Sequence, residues 1–269
     1  MAIKPKQEDK AVAAPPSKEL QLAQLSQEDM ASMYGDMGKE HISIPRLTIL
    51  EQLSPEVGDN LGKPGDFFIK GLNQNLGPNP LELVVLMRSH SRMSWTPLAE
   101  GGGIICQAAD GNRGVGLPGG DCNKCPNKEW QGKAKPLCDL YENFIVVQRS
   151  ALQAGEAFPM AISGSRTKLK ALRDFNTILM QSIQKRRPLF AKSYKVSTVV
   201  KQNPKIPGNN KYHVFQITAA NENQVLPIGE QQEAFDLFKS FSGKSFSIQQ
   251  DEPGTDSAPA PAPDGAPSI

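Results

Sequence analysis

Apolar residues recur along this chain mostly in short runs, alternating or continuous, that glycine and proline interrupt. Seven runs read as strands: Ile42 to Leu50, Asp66 to Lys70, Leu81 to Arg88, Phe144 to Arg149, Phe158 to Ser163, Tyr194 to Lys201 and Tyr212 to Ala219. Between the last two, the segment Lys205-Ile206-Pro207-Gly208-Asn209-Asn210-Lys211 carries turn residues and predicts a hairpin. A helical period takes over after Ser165, a capping residue type. Leu169, Leu172, Phe175, Leu179 and Ile183 repeat at spacings of three and four until Pro188, which predicts one amphipathic helix lying across the sheet on that stripe. Shorter helices are predicted over Glu230 to Phe241, with Phe235, Phe238 and Phe241 on one side, and over Leu20 to Met33. There is no internal repeat. Seven strands with so few helices predict a β-rich α+β fold, a barrel or a sandwich.

Composition limits how much of the chain packs. At 38% apolar residues over 269 positions, part of the length has to be loop or tail. Residues 1–18 mix Lys, Glu and Ala with Pro15-Pro16 and almost no large apolar side chain, which predicts a disordered arm. Residues 251–269 hold five prolines and four acids (Asp251, Glu252, Asp256, Asp264) without a Lys or Arg, which predicts a flexible acidic tail. The whole chain carries +2, so residues 1–250 carry +6. A single domain is expected over residues 19–250. No apolar stretch approaches the ~18–20 residues that cross a bilayer, and the N-terminus runs into polar sequence instead of a hydrophobic signal core. Neither a membrane span nor secretion is expected, and the expected location is cytoplasmic.

Cys106, Cys122, Cys125 and Cys138 are all the cysteines, and they fall within 33 residues as C-x15-C-x2-C-x12-C. Four are too few to staple a chain of this length, so their clustering needs a local cause. Tetrahedral Zn2+ takes four thiolates at about 2.3 Å, and a C-x2-C knuckle such as Cys122-Asn123-Lys124-Cys125 presents two of them from one tight turn. The glycine-rich surroundings cannot build a core unaided, and a structural zinc in an insertion over residues 101–140 would organise them. Buried thiols beside a redox pair, or an iron–sulfur centre, are the other readings. A catalytic zinc keeps an open position and usually takes His or a carboxylate, whereas His41, His90 and His213 lie far from the cluster in sequence. No G-x-S-x-G, H-E-x-x-H or Walker-type loop occurs, so the chain is not expected to be an enzyme.

Charge concentrates elsewhere. From Arg166 to Lys211 twelve basic residues accompany one acid, Asp174, for +11 over 46 residues. A helix stabilised by solvation alone interleaves Glu with Lys, because like charges at i,i+4 repel. An anionic partner accounts for the excess. Nucleic acid is favoured, since each phosphate neutralised by Lys or Arg releases counterions. Lys168, Lys170, Arg173, Lys185, Arg186, Arg187, Lys192 and Lys195 are the expected phosphate contacts. Single-strand binders add rings on which unpaired bases stack. Phe190, Tyr194, Tyr212 and Phe215 interleave with the cations, and alternation along two strands allows an exposed Tyr194/Tyr212 pair. Each of these rings can also be read as core. Tyr194, Tyr212 and Trp130 are the expected stacking residues, although Trp130, followed by Lys133 and Lys135, can instead cover the metal.

The stretch Ile44-Pro45-Arg46-Leu47-Thr48-Ile49-Leu50, with Leu53-Ser54-Pro55-Glu56-Val57 and Pro64-Gly65-Asp66-Phe67, is similar to openings of phage proteins from replication and recombination regions. With its basic β-rich body, Cys-rich insertion and acidic tail, the chain resembles bacteriophage single-stranded DNA-binding proteins over roughly Ile44 to Ala220. That resemblance implies an OB-like barrel with a zinc-ribbon-like four-cysteine insertion. It implies a protein that coats single-stranded DNA during replication, recombination or repair in a bacterial host cell, with a tail that recruits partner proteins. A zinc-containing transcription or RNA-binding factor and a virion assembly protein are the alternatives.

Overall fold

The computed structural model describes residues 43–96, 102–132, 134–202, 211–221, 224–242 and 247–248. The expected arm, the helix over Leu20 to Met33, the acidic tail and the hairpin turn over residues 205–210 lie outside them. The described residues form β1 (Ser43–Ile44), β2 (Arg46–Ile49), α1 (Pro55–Gly58), β3 (Phe67–Lys70), β4 (Gln74–Gly77), β5 (Leu81–Trp95), β6 (Ile104–Ala108), β7 (Arg113–Gly116) and β8 (Gly120–Asp121). There follow β9 (Cys138–Gln148), α2 (Arg149–Ala154), β10 (Met160–Gly164), α3 (Arg166–Gln184), β11 (Ser193–Gln202), β12 (Lys211–Ala219), α4 (Ile228–Phe241) and β13 (Ser247–Ile248). Every strand expected from the apolar runs has a counterpart. β5 and β9 are much longer than their apolar cores, because their polar halves pair with each other from Arg88–Phe144 to Ser94–Cys138.

The main sheet is mixed, with order β4-β3-β2-β10-β9-β5-β6-β7-β8, and only its β2–β10 pair is parallel. β5 holds β9 along one edge and is shared along the other. Its first residues, Leu81–Val84, pair with β11, and its last, Arg92–Trp95, pair with β6. The sheet therefore forks: β11 and β12 leave at one end of β5, and β6 to β8 at the other.

The barrel expected from the resemblance does not close. Among the described residues no ladder joins β12 to β2 or β3, and side chains bridge the seam instead. The ring of Phe67 stacks on Phe215 with centroids 6.4 Å apart. The backbone N–H of His213 donates to both oxygens of Glu51 at 3.1 Å, and His213 Nδ1 lies 3.0 Å from Glu51 Oε2. Thr198 Oγ1 donates to the Gly65 carbonyl at 3.0 Å.

Inside this curl the main core gathers Leu47, Phe67, Leu83, Phe144, Tyr194 and Phe215 from the strands against Leu172, Phe175 and Leu179 of α3. The opposite face of β5, β9 and β10 packs a second core under α2 and α4, including Val84, Leu86, Ile145, Val147 and Leu152. A bulge at Leu86, where pairing skips from Val85–Val146 to Met87–Ile145, moves the even-numbered residues of β5 onto the inner face from Arg88 onward. In α3 the buried stripe is Lys168, Leu172, Phe175, Leu179 and Ser182, while Ile183 is 51% exposed. The expected stripe was thus right in its middle and one residue out of phase at both ends. Ser165 sits at the helix start but makes no side-chain capping bond.

Replacing Glu51 with Ala leaves the part-buried His213 amide unpaired, and should cost about 1–3 kcal/mol in chemical denaturation. Lys170→Ala, which breaks an exposed i,i+4 pair, should stay within about 0.5 kcal/mol. Equal midpoints for the two variants would show that the pair does not hold the seam.

Candidate metal centre and nucleic-acid interface

The fork of β5 builds the first site. Ser94 pairs with Cys106 of β6 on one side and Cys138 of β9 on the other, so both thiols share the inner face with Ser94 and Arg92. The loop after β7 folds over that face and brings the knuckle, whose turn is closed by Cys125 N–H donating to the Cys122 carbonyl at 3.4 Å. Asp121 Oδ1 accepts from the Asn123 N–H at 2.9 Å and orients the turn. Two glycines permit the approach. A Cβ on Gly114 would stand 2.7 Å from Cys106 Sγ, and one on Gly116, at φ +117°, would collide with the Ile105 carbonyl oxygen.

All four cysteines, together with Arg92, Ser94 and Lys128, line one small cavity of about 20 Å3. The cysteines are free thiols. Burial pushes the Cys122 and Cys138 thiols up, and the nearby Arg92 guanidinium pulls both back. Among the described residues no group of three or more His, Cys, Asp or Glu is arranged to hold a metal ion. The thiols share a cavity but, as they stand, not a coordination shell. Their donor chemistry is that of a closed thiolate site. His90 and His213 do not line the cavity. Within the expected insertion over residues 101–140, Cys106 and Cys138 belong to β6 and β9 of the main sheet.

The basic run does not form one surface. Lys168 is 5% exposed, and Tyr194 is 1% exposed with its ring edge-on to Phe175 at 4.9 Å. Neither can meet a nucleic acid, because the α3 stripe and the inner face of β11 draw both inside. Tyr194 pairs with Ala219 and Tyr212 with Lys201, on opposite faces of the hairpin, so the expected tyrosine pair does not form. Phe215 is core and Phe190 packs on Phe235 and Phe238, at 5.9 and 6.3 Å. Lys170 is exposed but paired to Asp174 at 3.2 Å.

Among the described residues Arg173, Lys185, Arg186, Lys195, Lys201 and Lys211 are exposed and make no ion pair. Arg173 lies on the outward side of α3, and Lys185 and Arg186 follow its C-terminus. Lys195 and Lys201 share the outer face of the hairpin with the half-buried Tyr212. Arg187 and Lys192 are half-buried. Trp130 is 68% exposed beside a tight turn in which Gln131 and Ala134 exchange backbone bonds at 3.1 and 3.2 Å, with Lys135 exposed beyond it. Lys133 lies outside the described residues.

Three features escaped the sequence reading. Arg92 faces the thiols, which the alternation Arg88, His90, Arg92, Ser94 would have shown had the strand been extended past its apolar half. Arg166 grips Asp139, next to Cys138, through its Nε at 3.0 Å and Nη2 at 2.7 Å, and this carboxylate holds the guanidinium above its ordinary pKa. Arg186 closes α3 in a Schellman turn: its N–H donates to the Ile183 carbonyl at 2.8 Å, and that of Arg187 to Ser182 at 3.0 Å. At φ +54° Arg186 occupies the left-handed position that glycine normally fills.

The profile of one family, described as Pam3 phage gp34-like protein, matches residues 16–247. The match spans most of the chain, which therefore belongs to that family, and it supports a phage origin. No curated protein and no solved structure is significantly similar to the chain. Among the described residues no helix is long and apolar enough to cross a membrane.

Gly116→Ala should open the thiol cavity. Alkylation of the cysteines by a maleimide should speed up by about tenfold or more, because the left-handed position strains any side chain and the Cβ displaces β6 from β7. An unchanged rate would mean that the glycine-rich loop does not guard the thiols.

Proposed function

We propose that this member of the Pam3 phage gp34-like family is a non-enzymatic single-stranded DNA-binding protein that coats DNA during phage replication, recombination or repair. The observation that carries the reading is the set of exposed cations, on and after α3 and on the β11–β12 hairpin, that make no ion pair among the described residues. Lysines and arginines left without acids are what a phosphate backbone neutralises, and the affinity they supply does not depend on sequence. Trp130 and Tyr212 are exposed or half-exposed rings near Lys135 and Lys201, suited to stacking unpaired bases. Arg186 adds a second line of support. A side chain in the left-handed region costs roughly 1–2 kcal/mol relative to glycine, and strain of that kind concentrates at functional positions.

The same reading includes a structural zinc held by Cys106, Cys122, Cys125 and Cys138, with Arg92 offsetting part of the negative charge of four thiolates. In this role the metal fixes the loop between β6 and β9 and takes no part in chemistry. An OB-like ancestry of the curled sheet belongs to the same proposal, with the seam at Glu51 and His213 standing where a barrel would close. Partner proteins recruited by the acidic tail complete it.

Arg186→Gly separates function from folding. The variant should be more stable by about 0.5–1 kcal/mol, since glycine relieves the strain, yet bind labelled oligo-dT more weakly with a shallower salt dependence. Unchanged affinity at low salt would remove Arg186 from the interface, and unchanged affinity of the triple variant Lys185→Glu, Arg186→Glu, Arg187→Glu would sink the DNA reading at this helix end. The metal is tested separately. Purified protein should carry one zinc per chain, and replacing Cys122 and Cys125 with Ser should abolish it and lower Tm by roughly 10 °C. Metal-free protein of full stability would rule the zinc out.

A further inference from the structure

The fork of β5 leaves a gap that the proposed function has not used. Between the residues paired with β11 and those paired with β6, residues 85–91 of β5 have no strand along that edge among the described residues. A cleft of about 280 Å3 opens there, with Leu179, Met180 and Ile183 of α3 on one wall and Leu86, Leu189 and Phe238 around the rest. Met180 and Ile183 are 47% and 51% exposed, unusual for large apolar residues beside a highly charged helix end.

Two polar groups break the apolar lining, Arg88 and Asn176. Both donate to the same oxygen of the buried Glu142, Arg88 Nη2 at 3.2 Å and Asn176 Nδ2 at 3.1 Å. Because a carboxylate accepts, the amide nitrogen of Asn176 has to face Glu142, and its orientation is fixed by chemistry. Its Oδ1 is then turned elsewhere, buried and without a hydrogen-bond partner. That oxygen is closed off from solvent, so Asn176 holds Glu142 and shapes the lining without offering its carbonyl to a ligand. The Arg88 side chain is 43% exposed and keeps donors that Glu142 does not use.

We infer that this cleft is a base-binding subsite, which accepts one unpaired nucleobase of the strand whose phosphates the surrounding cations hold. The inference rests on the single-stranded DNA reading above and gives it a location. A nucleobase has two apolar faces and an edge that carries acceptors beside N–H donors. The cleft offers apolar walls and donors on Arg88 to the acceptors of that edge. Its volume is just below the about 300 Å3 at which drug-sized sites begin, which suits one ring system. The charges agree. Arg173 stands two turns before Met180, and Lys185 and Arg186 follow Ile183, so cations flank the cleft roughly 18 Å apart along the helix. Among the described residues no acid lines the site.

The test compares full-length protein binding to dT20 and to an abasic strand of equal length and charge, at low salt. Wild-type protein should prefer dT20 by about tenfold or more, and Met180→Ala and Ile183→Ala should bring that ratio toward one. A dT20 carrying 5-iodouracil should photocrosslink within residues 176–189 or at Phe238, a readout that does not depend on how well the variants fold. Equal binding of both strands by wild-type protein, or crosslinks confined to Trp130 or Tyr212, would overturn the subsite and leave the DNA reading standing. Failure to bind either strand would overturn the DNA reading and the subsite with it.

Discussion

The ladder between β5 and β9, from Leu83–Gln148 to Ser94–Cys138, is the constraint on which the rest of this molecule depends. It supplies two unlike environments from one continuous face. Before the bulge at Leu86 the inner face of β5 carries Leu81, Leu83 and Val85, which join the core under α3. After it the inner face carries Arg88, His90, Arg92 and Ser94, and ends at the thiol cavity. Without the extra residue, Met87 and Met93 would turn inward and Arg92 would face away from the cysteines, since a one-residue shift moves every side chain to the other face. The single bulge thus lets a β-strand serve as core at one end and as the floor of a polar site at the other. The fork follows from the same geometry, because the strand is long enough to hold β11 and β6 on one edge without their touching.

How much of this was legible in the sequence depended on whether the chain's local pattern matched its partners. Strands with apolar alternation were found, and so were the middle of α3 and the phenylalanine face of α4, where Phe190 packs against Phe235 and Phe238. The polar second half of β5 was not, because its pairing comes from β9 and β6 and not from its own hydrophobicity. β6 and β7 hid in glycine-rich sequence for a related reason: the glycines that weaken a strand signal are the ones that admit Cys106 and its neighbours. The clustering of four cysteines was legible, and their shared cavity agrees with it, whereas the shell that would hold a metal is not formed as the residues stand. Tyr194 and Lys168 show the limit of reading composition as surface. Alternation in β11 and the helical stripe of α3 put both inside, which for Tyr194 is the core reading the sequence had also left open, and for Lys168 is not.

Charge divides along the same lines. α3 lies on the inner face that holds Tyr194 and Val196, so Lys195 and Lys201 point to the other side of the sheet. The +11 stretch is therefore two surfaces that meet only around the α3–β11 connection. At that connection Arg186 accepts a left-handed backbone and the chain turns through Pro188 to bring Phe190 under α4. The strain and the packing are linked: the Schellman turn aims the chain at the second core, and an arginine instead of a glycine at its sharpest point keeps a cation beside the cleft. A sequence under selection for stability alone would have little reason to keep it there.

The thiol cavity and the basic helix are mechanically joined. Cys138 opens β9, and the next residue, Asp139, binds both nitrogens of Arg166 at the start of α3. Arg166 itself has φ +47°, a conformation that this ion pair helps to hold. Anything that draws Cys106, Cys122, Cys125 and Cys138 together tightens β6, β5 and β9 at one end of the ladder, and through Asp139 it fixes where α3 begins. The far end of the helix presents Lys185 and Arg186. Between its two ends the helix is seated in the main core by Leu172, Phe175 and Leu179, so the Asp139–Arg166 pair anchors one end and the core the rest, with the cations about 28 Å along the axis from Arg166.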